Sequence, residues 1–289
     1  MKSTRRPNGP WFPLALMVST LGLASCAGAP GPSPAPHHAA GSPHASEPEA
    51  HWDYGAARGP AVWASLSPSF AACGAGRRQS PVDFSGVGSG PVPAMRTSYT
   101  PGDLRIVRQE DVSDGINNGN TLQVNDGGVD TLTLGDDVFH LVQYHFHSPS
   151  EHTVDGKHLP MEMHLVHRSG TGTIAVLGVF LEEGAENPAF APVLSNLPSE
   201  KGKEFHLAGV KADETLMLPR NRTTYRYDGS LTTPPCSEGV RWVVFTTPVQ
   251  ISAAQLGAFR AVLADTSRPT QPLNGRPVAT DRVKERPES

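Results

Sequence analysis

Gln143-Tyr144-His145-Phe146-His147 and, beyond a turn through Asp155-Gly156-Lys157, Glu162-Met163-His164-Leu165-Val166-His167 decide how this chain is read. Side chains alternate across a strand, so His145 and His147 share one face with Gln143 beside them. On the second segment Glu162, His164 and Val166 share a face, and Met161, Met163, Leu165 and His167 take the other. Pairing the two strands brings His164 beside His145 and His147. Three neutral imidazoles suit zinc and leave a fourth tetrahedral position open, the pattern of a catalytic site and not a structural one. Gln143 and Glu162 supply the acceptors that orient a ligand's remaining N–H. A His-x-His pair alone carries little; the third histidine and its same-face carboxylate give it weight.

Working outward, Thr131–Leu134 and Val138–His147 read as strands about the turn Gly135-Asp136-Asp137. Thr173–Leu181 and Val240–Phe245 read as further strands. The single helix expected is Ser252–Ala264, with Ala253, Leu256, Phe259, Val262 and Leu263 near helical spacing and Ser252 as N-cap. With 29 glycines, 28 prolines and 37% hydrophobic residues in 289, the chain is turn-rich and not a helical bundle. No composition break interrupts residues 51–281, so they are expected to form one mainly β domain, followed by a polar tail at 282–289. The 24 basic and 28 acidic residues give a net charge of -4, which offers no footprint for nucleic acid. His145-x-His147-x-x-x-Glu151 also fits the first half of a cupin metal motif. Gly135, however, is misplaced for that motif, and no second half follows.

The N-terminus reads as a targeting signal. Lys2, Arg5 and Arg6 precede the apolar run Trp11–Ala24, which is short for a membrane span and right for a signal-peptide core. Leu23-Ala24-Ser25-Cys26 resembles a bacterial lipobox. Residues 1–25 are therefore expected to be a lipoprotein signal and Cys26 the lipidated residue, with ordinary cleavage as the alternative. Residues 26–50, rich in Ala, Gly, Pro and Ser and carrying His37, His38 and His44, are expected to be a disordered tether. The expected location is the periplasm or cell envelope, with membrane contact through the lipid only. Setting Cys26 aside leaves Cys73 and Cys236, either bridged or as two buried thiols; an oxidising compartment favours the bridge.

Six blocks in order resemble the α-class carbonic anhydrases: Gln79-Ser80-Pro81-Val82, Asn117-Asn118-Gly119, Gln143–His147, Ser150-Glu151-His152-Thr153, Glu162–His167 and Gly229-Ser230-Leu231-Thr232-Thr233-Pro234-Pro235. Gln271-Pro272-Leu273-Asn274-Gly275-Arg276 extends the match, so the resemblance covers Trp52 to Val278. It implies a central twisted, mostly antiparallel sheet of about ten strands with a few short helices. It also implies a conical cleft leading to Zn2+, where zinc-bound hydroxide attacks carbon dioxide to give bicarbonate and a proton.

On that resemblance His145, His147 and His164 are the zinc ligands, with Gln143 and Glu162 behind them. Thr232 is the gatekeeper, donating to Glu151 so that its own oxygen can orient the hydroxide. Val166, Val176, Leu231 and Trp242 form the apolar wall, and Thr233, Asn118 and Gln123 join the substrate pocket. Tyr54 and Tyr227 organise proton-carrying water. Cys73 and Cys236 match a disulfide of exported bacterial members. His152 and His167 belong to buried networks, while His140, His158 and His206 take no part. The departure is Asn120, which stands where rapid members carry a shuttle histidine. An amide does not titrate near neutrality, so proton release is expected to slow unless another histidine, such as His51, substitutes. Ser148 in place of an aromatic suggests a roomier cleft.

A non-catalytic binding domain is the competing reading, and retention of all three histidines with Thr232 and Glu151 argues against it. An ester hydrolase would need a pocket that the sequence does not reveal. Oligomeric state is left open, a homodimer included.

Overall fold

Strictly alternating apolar positions, as along Thr131–Leu134, bury one face of a strand, and continuous burial, as along Met161–His167, marks a strand covered on both faces. Both patterns occur in one large sheet. The computed structural model describes residues 50–108, 121–127, 129–198, 204–263 and 265–281, all within one compact unit. The N-terminal 49 residues, and with them Cys26, lie outside the described residues, as do Asn117, Asn118, Asn120 and the 282–289 tail.

In chain order the strands are β1 (Gly88–Ser89), β2 (Met95–Ser98), β3 (Gly102–Arg108), β4 (Leu122–Asn125), β5 (Thr131–Leu134), β6 (Asp137–His147), β7 (Thr153–Val154), β8 (Lys157–His158), β9 (Met161–Ser169), β10 (Ile174–Glu183), β11 (Glu204–Ala212), β12 (Thr224–Ser230), β13 (Glu238–Phe245), β14 (Val249–Ile251) and β15 (Ala279–Thr280). Thirteen of them make one sheet in the order β1-β15-β12-β13-β10-β9-β6-β4-β3-β11, with β14 on β10 and the β2–β5 pair on β6. All pairings are antiparallel except β1–β15, β10–β13 and β10–β14. The five strands expected from the sequence are all present, and the mainly antiparallel architecture agrees with expectation.

Asp155 and Gly156, both at positive φ, form the two-residue turn of a small separate hairpin, β7–β8. That turn does not join β6 to β9 directly. Between Leu141 and Gln143 the β6–β9 register shifts, which leaves Val142 bulged and sets His145 opposite His164 and His147 opposite Glu162.

The sheet buries both faces. On one, Tyr144, Phe146, Leu165, Leu177 and Val243 join the larger core with Phe190 and Phe259. On the other, Val166, Val176, Tyr227, Trp242 and Val244 form a second core around the histidines. Helix α4 (Ala253–Val262) covers the first face through Leu256 and Phe259, and it begins with a complete capping box between Ser252 and Gln255. Among the described residues, three one-turn helices, α1 (Trp63–Leu66), α2 (Ala72–Ala75) and α3 (Ala191–Leu194), complete the helical content apart from 3-10 turns. Cys73 of α2 is bridged to Cys236, with Cα atoms 5.0 Å apart. Among the described residues no helix is long and apolar enough to cross a membrane.

Candidate metal centre

Strand register assembles the site. Gln143, His145 and His147 of β6 face the same way as Glu162, His164 and Val166 of β9, because residues directly opposite in an antiparallel pair share a face. One nitrogen from each of His145, His147 and His164 lies within 4.8 Å of the others, and all three residues are buried. His145 Nδ1–H donates to Gln143 Oε1 (2.8 Å), His147 Nδ1–H to the Thr266 carbonyl (2.7 Å) and His164 Nε2–H to Glu162 Oε1 (2.9 Å). Those bonds fix the tautomers and turn His145 Nε2, His147 Nε2 and His164 Nδ1 toward one another.

The Glu162 carboxylate is saturated. Oε1 also accepts from His152 Nδ1 (2.8 Å), and Oε2 accepts the backbone N–H groups of Glu151 (3.0 Å) and His152 (2.9 Å). Against the penalty of burial, His152 and His164 hold its carboxyl well below the usual range. Burial pushes the His145 pKa well down, helped by His147 and His164, and lowers that of His147 in spite of Glu151 nearby. Both rings are thus neutral, the form that coordinates a metal. His164 is raised, because the Glu162 charge and hydrogen bond outweigh burial.

The donor set fits a metal ion. His147 Nε2 is buried without a hydrogen-bond partner, an orphaned lone pair that a cation would satisfy. Next to the three rings lies a recess lined by His145, His164, Val166, Val176, Leu231, Thr232, Thr233 and Trp242. On β10, Gly178 stands opposite His164, and a Cβ there would sit 3.0 Å from both Glu162 Oε1 and a Val244 methyl.

Residues 58–282 match the family model described as eukaryotic-type carbonic anhydrase. The chain belongs to the α-class carbonic anhydrases. It is 41% identical over 231 residues to the carbonic anhydrase of Nostoc sp., covering 78% of this chain and 84% of that protein. It is 40% identical over 227 residues to that of Pectobacterium atrosepticum, covering 78% and 89%. Among solved structures, the α-carbonic anhydrase of Thermovibrio ammonificans in complex with the inhibitor sulfanilamide superposes with a TM-score of 0.73 at 43% identity, covering 80% of this chain and 99% of that one.

As in the sequence-based expectation for a carbonic anhydrase, the structure gathers His145, His147, His164, Gln143, Glu162, Val166, Val176, Leu231, Thr232, Thr233 and Trp242 at one place. Gln123 of β4 pairs with His145 and joins that face. Asn118 and Asn120 lie outside the described residues. Tyr54 has a buried hydroxyl without a partner, its pKa raised well above the usual value by burial and by the Glu151 charge. His152 and His167 sit in buried networks as expected, the latter bonded to the Tyr99 hydroxyl at 2.8 Å.

Three expectations need correction. The Thr232–Glu151 hydrogen bond is not formed. Glu151 Oε1 accepts the Arg268 N–H (3.0 Å), while Oε2, drawn toward the imidazoles, lies 3.5 Å from His147 Nε2 and 3.9 Å from His164 Nδ1 with no donor. Tyr227, expected to organise water, does not line the recess; its hydroxyl donates to Ser80 Oγ (2.9 Å) and is bonded to His152 Nε2 (2.6 Å). Ser148, expected to leave a roomier cleft, does not line the recess. It is buried, and its hydroxyl donates to the Pro160 carbonyl (3.4 Å) and accepts from Arg260 Nε (3.3 Å).

Sequence reading missed Thr266 and Arg268. Both act at the site through backbone groups, which leave no side-chain signature.

Proposed function

We propose that this carbonic anhydrase catalyses the reversible hydration of carbon dioxide to bicarbonate and a proton, with Zn2+ held by His145 Nε2, His147 Nε2 and His164 Nδ1. One observation carries the reading: three buried imidazoles, each with its second nitrogen already engaged, converge beside an apolar recess. When bound, zinc supplies a Lewis acid that brings the pKa of a coordinated water to about 7.

The chain's own residues do the rest. Gln143, Thr266 and Glu162 hold the rings in the coordinating tautomer, so little orientation is lost on metal binding. Val166, Val176, Leu231 and Trp242 offer dispersion contacts without hydrogen-bond competition, which suits a substrate lacking charge and net dipole. Thr232, on the wall of the recess, orients the attacking oxygen. The protonated Tyr54 hydroxyl helps order water between the site and solvent. Asn120 cannot take up the released proton, so proton export to buffer limits turnover.

The proposal extends to the termini: residues 1–25 as a lipoprotein signal, lipid on Cys26, residues 26–50 as a tether and 282–289 as a polar tail. Together these put the catalytic domain at a bacterial envelope, within the periplasm or at the membrane surface.

Stopped-flow carbon dioxide hydration, with metal content quantified and imidazole varied at fixed ionic strength, tests the reading. Zinc-dependent hydration that accelerates with imidazole is the expected result. Zinc-loaded protein without hydration would overturn the enzymatic reading. A kcat indifferent to imidazole would overturn the role given to Asn120.

A further inference from the structure

Two of the site's fixed points rest on one short segment, residues 265–268. Thr266 offers its carbonyl to His147 Nδ1, and the Arg268 backbone N–H donates to Glu151 Oε1. The Arg268 side chain then runs away from the site into the protein, only 1% exposed. One terminal nitrogen donates to Ser80 O (2.7 Å) and Gln79 Oε1 (3.0 Å), the other to Cys73 O (2.9 Å), and the guanidinium lies 5.8 Å from the Trp63 ring centroid. Gln79 continues the chain, its Nε2 donating to Cys236 O at 3.0 Å. Arg268 thus reaches both half-cystines: Cys73 directly and Cys236 through Gln79.

A buried guanidinium is costly to desolvate, and here it is satisfied by three neutral oxygens. The bridge holds the backbone of α2 and the loop after Thr232 together, and with them the acceptors that Arg268 needs. We propose that Arg268 is a positioning residue that ties the orientation of His147 and Glu151 to the Cys73–Cys236 bridge, so that loss of the bridge loosens the metal site. The proposal rests on the zinc reading above. Arg268 touches neither metal nor substrate; it acts through the backbone of its own segment.

A double-mutant cycle on the full chain tests it, with zinc affinity measured by chelator competition and folding checked by near-ultraviolet circular dichroism. Stoichiometric zinc binding by the wild type tests the metal reading separately. With the bridge intact, Arg268→Met is expected to weaken zinc by about 10–100-fold, as for other residues that orient ligands, and Arg268→Lys by less. Cys73→Ser/Cys236→Ser alone weakens zinc comparably. Added to Arg268→Met, it costs less than about twofold more, because the link is already cut. If the two losses multiply independently, or if the folded bridge-less protein binds zinc as tightly as the wild type, the proposal fails. Should Arg268→Met not fold, Gln79→Ala replaces it in the same cycle. Its few-fold loss must then disappear in the bridge-less background, and persistence of that loss would overturn the link.

Discussion

Two buried glutamates lie on opposite faces of the sheet and are shifted in opposite directions. Glu162, on the histidine face, accepts four hydrogen bonds and faces two imidazoles, so its carboxyl is held well below the usual range. Glu214, on the other face, neighbours Tyr144 and the acids Asp130, Asp126 and Asp213. Burial, reinforced by those acids, raises its pKa to about 7. Tyr144 and His145 are consecutive in β6, so a single step along the strand separates the two environments. Burial penalises both carboxylates alike; the donors waiting for each decide the sign. A carboxylate that orients two imidazoles must stay ionised, and the fold spends four donors to keep it so.

The largest break in this contrast comes from Glu162→Gln. The amide keeps an acceptor for one imidazole but loses the charge and cannot satisfy the same four donors. Zinc affinity is expected to fall by about 10–100-fold, measured by chelator competition. Stability near neutral pH should fall by about 3 kcal/mol, the scale for breaking a buried charged network. The lowered folded pKa makes Glu162 stabilising above its unfolded value, so the stability deficit should shrink as pH falls through the acidic range. A deficit that does not change with pH would mean that packing, and not charge, explains the loss.

Glu214→Gln should act in the opposite sense. A carboxyl with a raised folded pKa gives its full stability below the unfolded value of 4.5 and loses it as pH rises to about 7. The wild type is therefore expected to weaken across that window by up to about 3 kcal/mol. The glutamine variant should be more stable than the wild type near pH 8 and equal to it near pH 4, by denaturant unfolding at both. Zinc affinity at neutral pH should be unchanged, since Glu214 lies across the sheet from the histidines. Equal pH profiles for the two proteins would show that Glu214 is ionised without cost.

How far each face could be read from sequence follows the same divide. The histidine cluster was legible because a period of two is a local property: Gln143, His145 and His147 share a face whatever the rest of the chain does, as do Glu162, His164 and Val166. Helix α4 was legible for a similar reason, its capping box lying within four residues. The bulge at Val142, which fixes His145 opposite His164, has no such marker. Nor do the Thr266 carbonyl and Arg268 N–H, because every residue carries those groups. Arg268 follows Ser267 and precedes Pro269 in a loop where an arginine is ordinarily solvated, and only tertiary contacts reveal it as buried. The water-organising role that the resemblance implied for Tyr227 carried no hint of its partner. His152 reaches it from a segment far away in sequence.

The smallest effect tests whether the histidine face depends on space as well as charge. Gly178 of β10 pairs with His164, and its backbone does not need a glycine conformation; it is the absent side chain that matters. A methyl at Gly178→Ala would meet Glu162 Oε1 at 3.0 Å and the two Val244 methyls at 3.0 and 3.1 Å. Val244 can rotate or shift, but a carboxylate fixed by four hydrogen bonds cannot move without lengthening one of them. The expected cost is about 1–2 kcal/mol of stability, in the range for overpacking a core. Zinc affinity should fall less than in Glu162→Gln, because the charge remains and only its position is disturbed. If Val244→Ala restores both quantities in the Gly178→Ala background, the methyl acted through packing alone. If stability recovers while zinc affinity stays low, Glu162 itself has been displaced, and its position matters to the metal site separately from its charge.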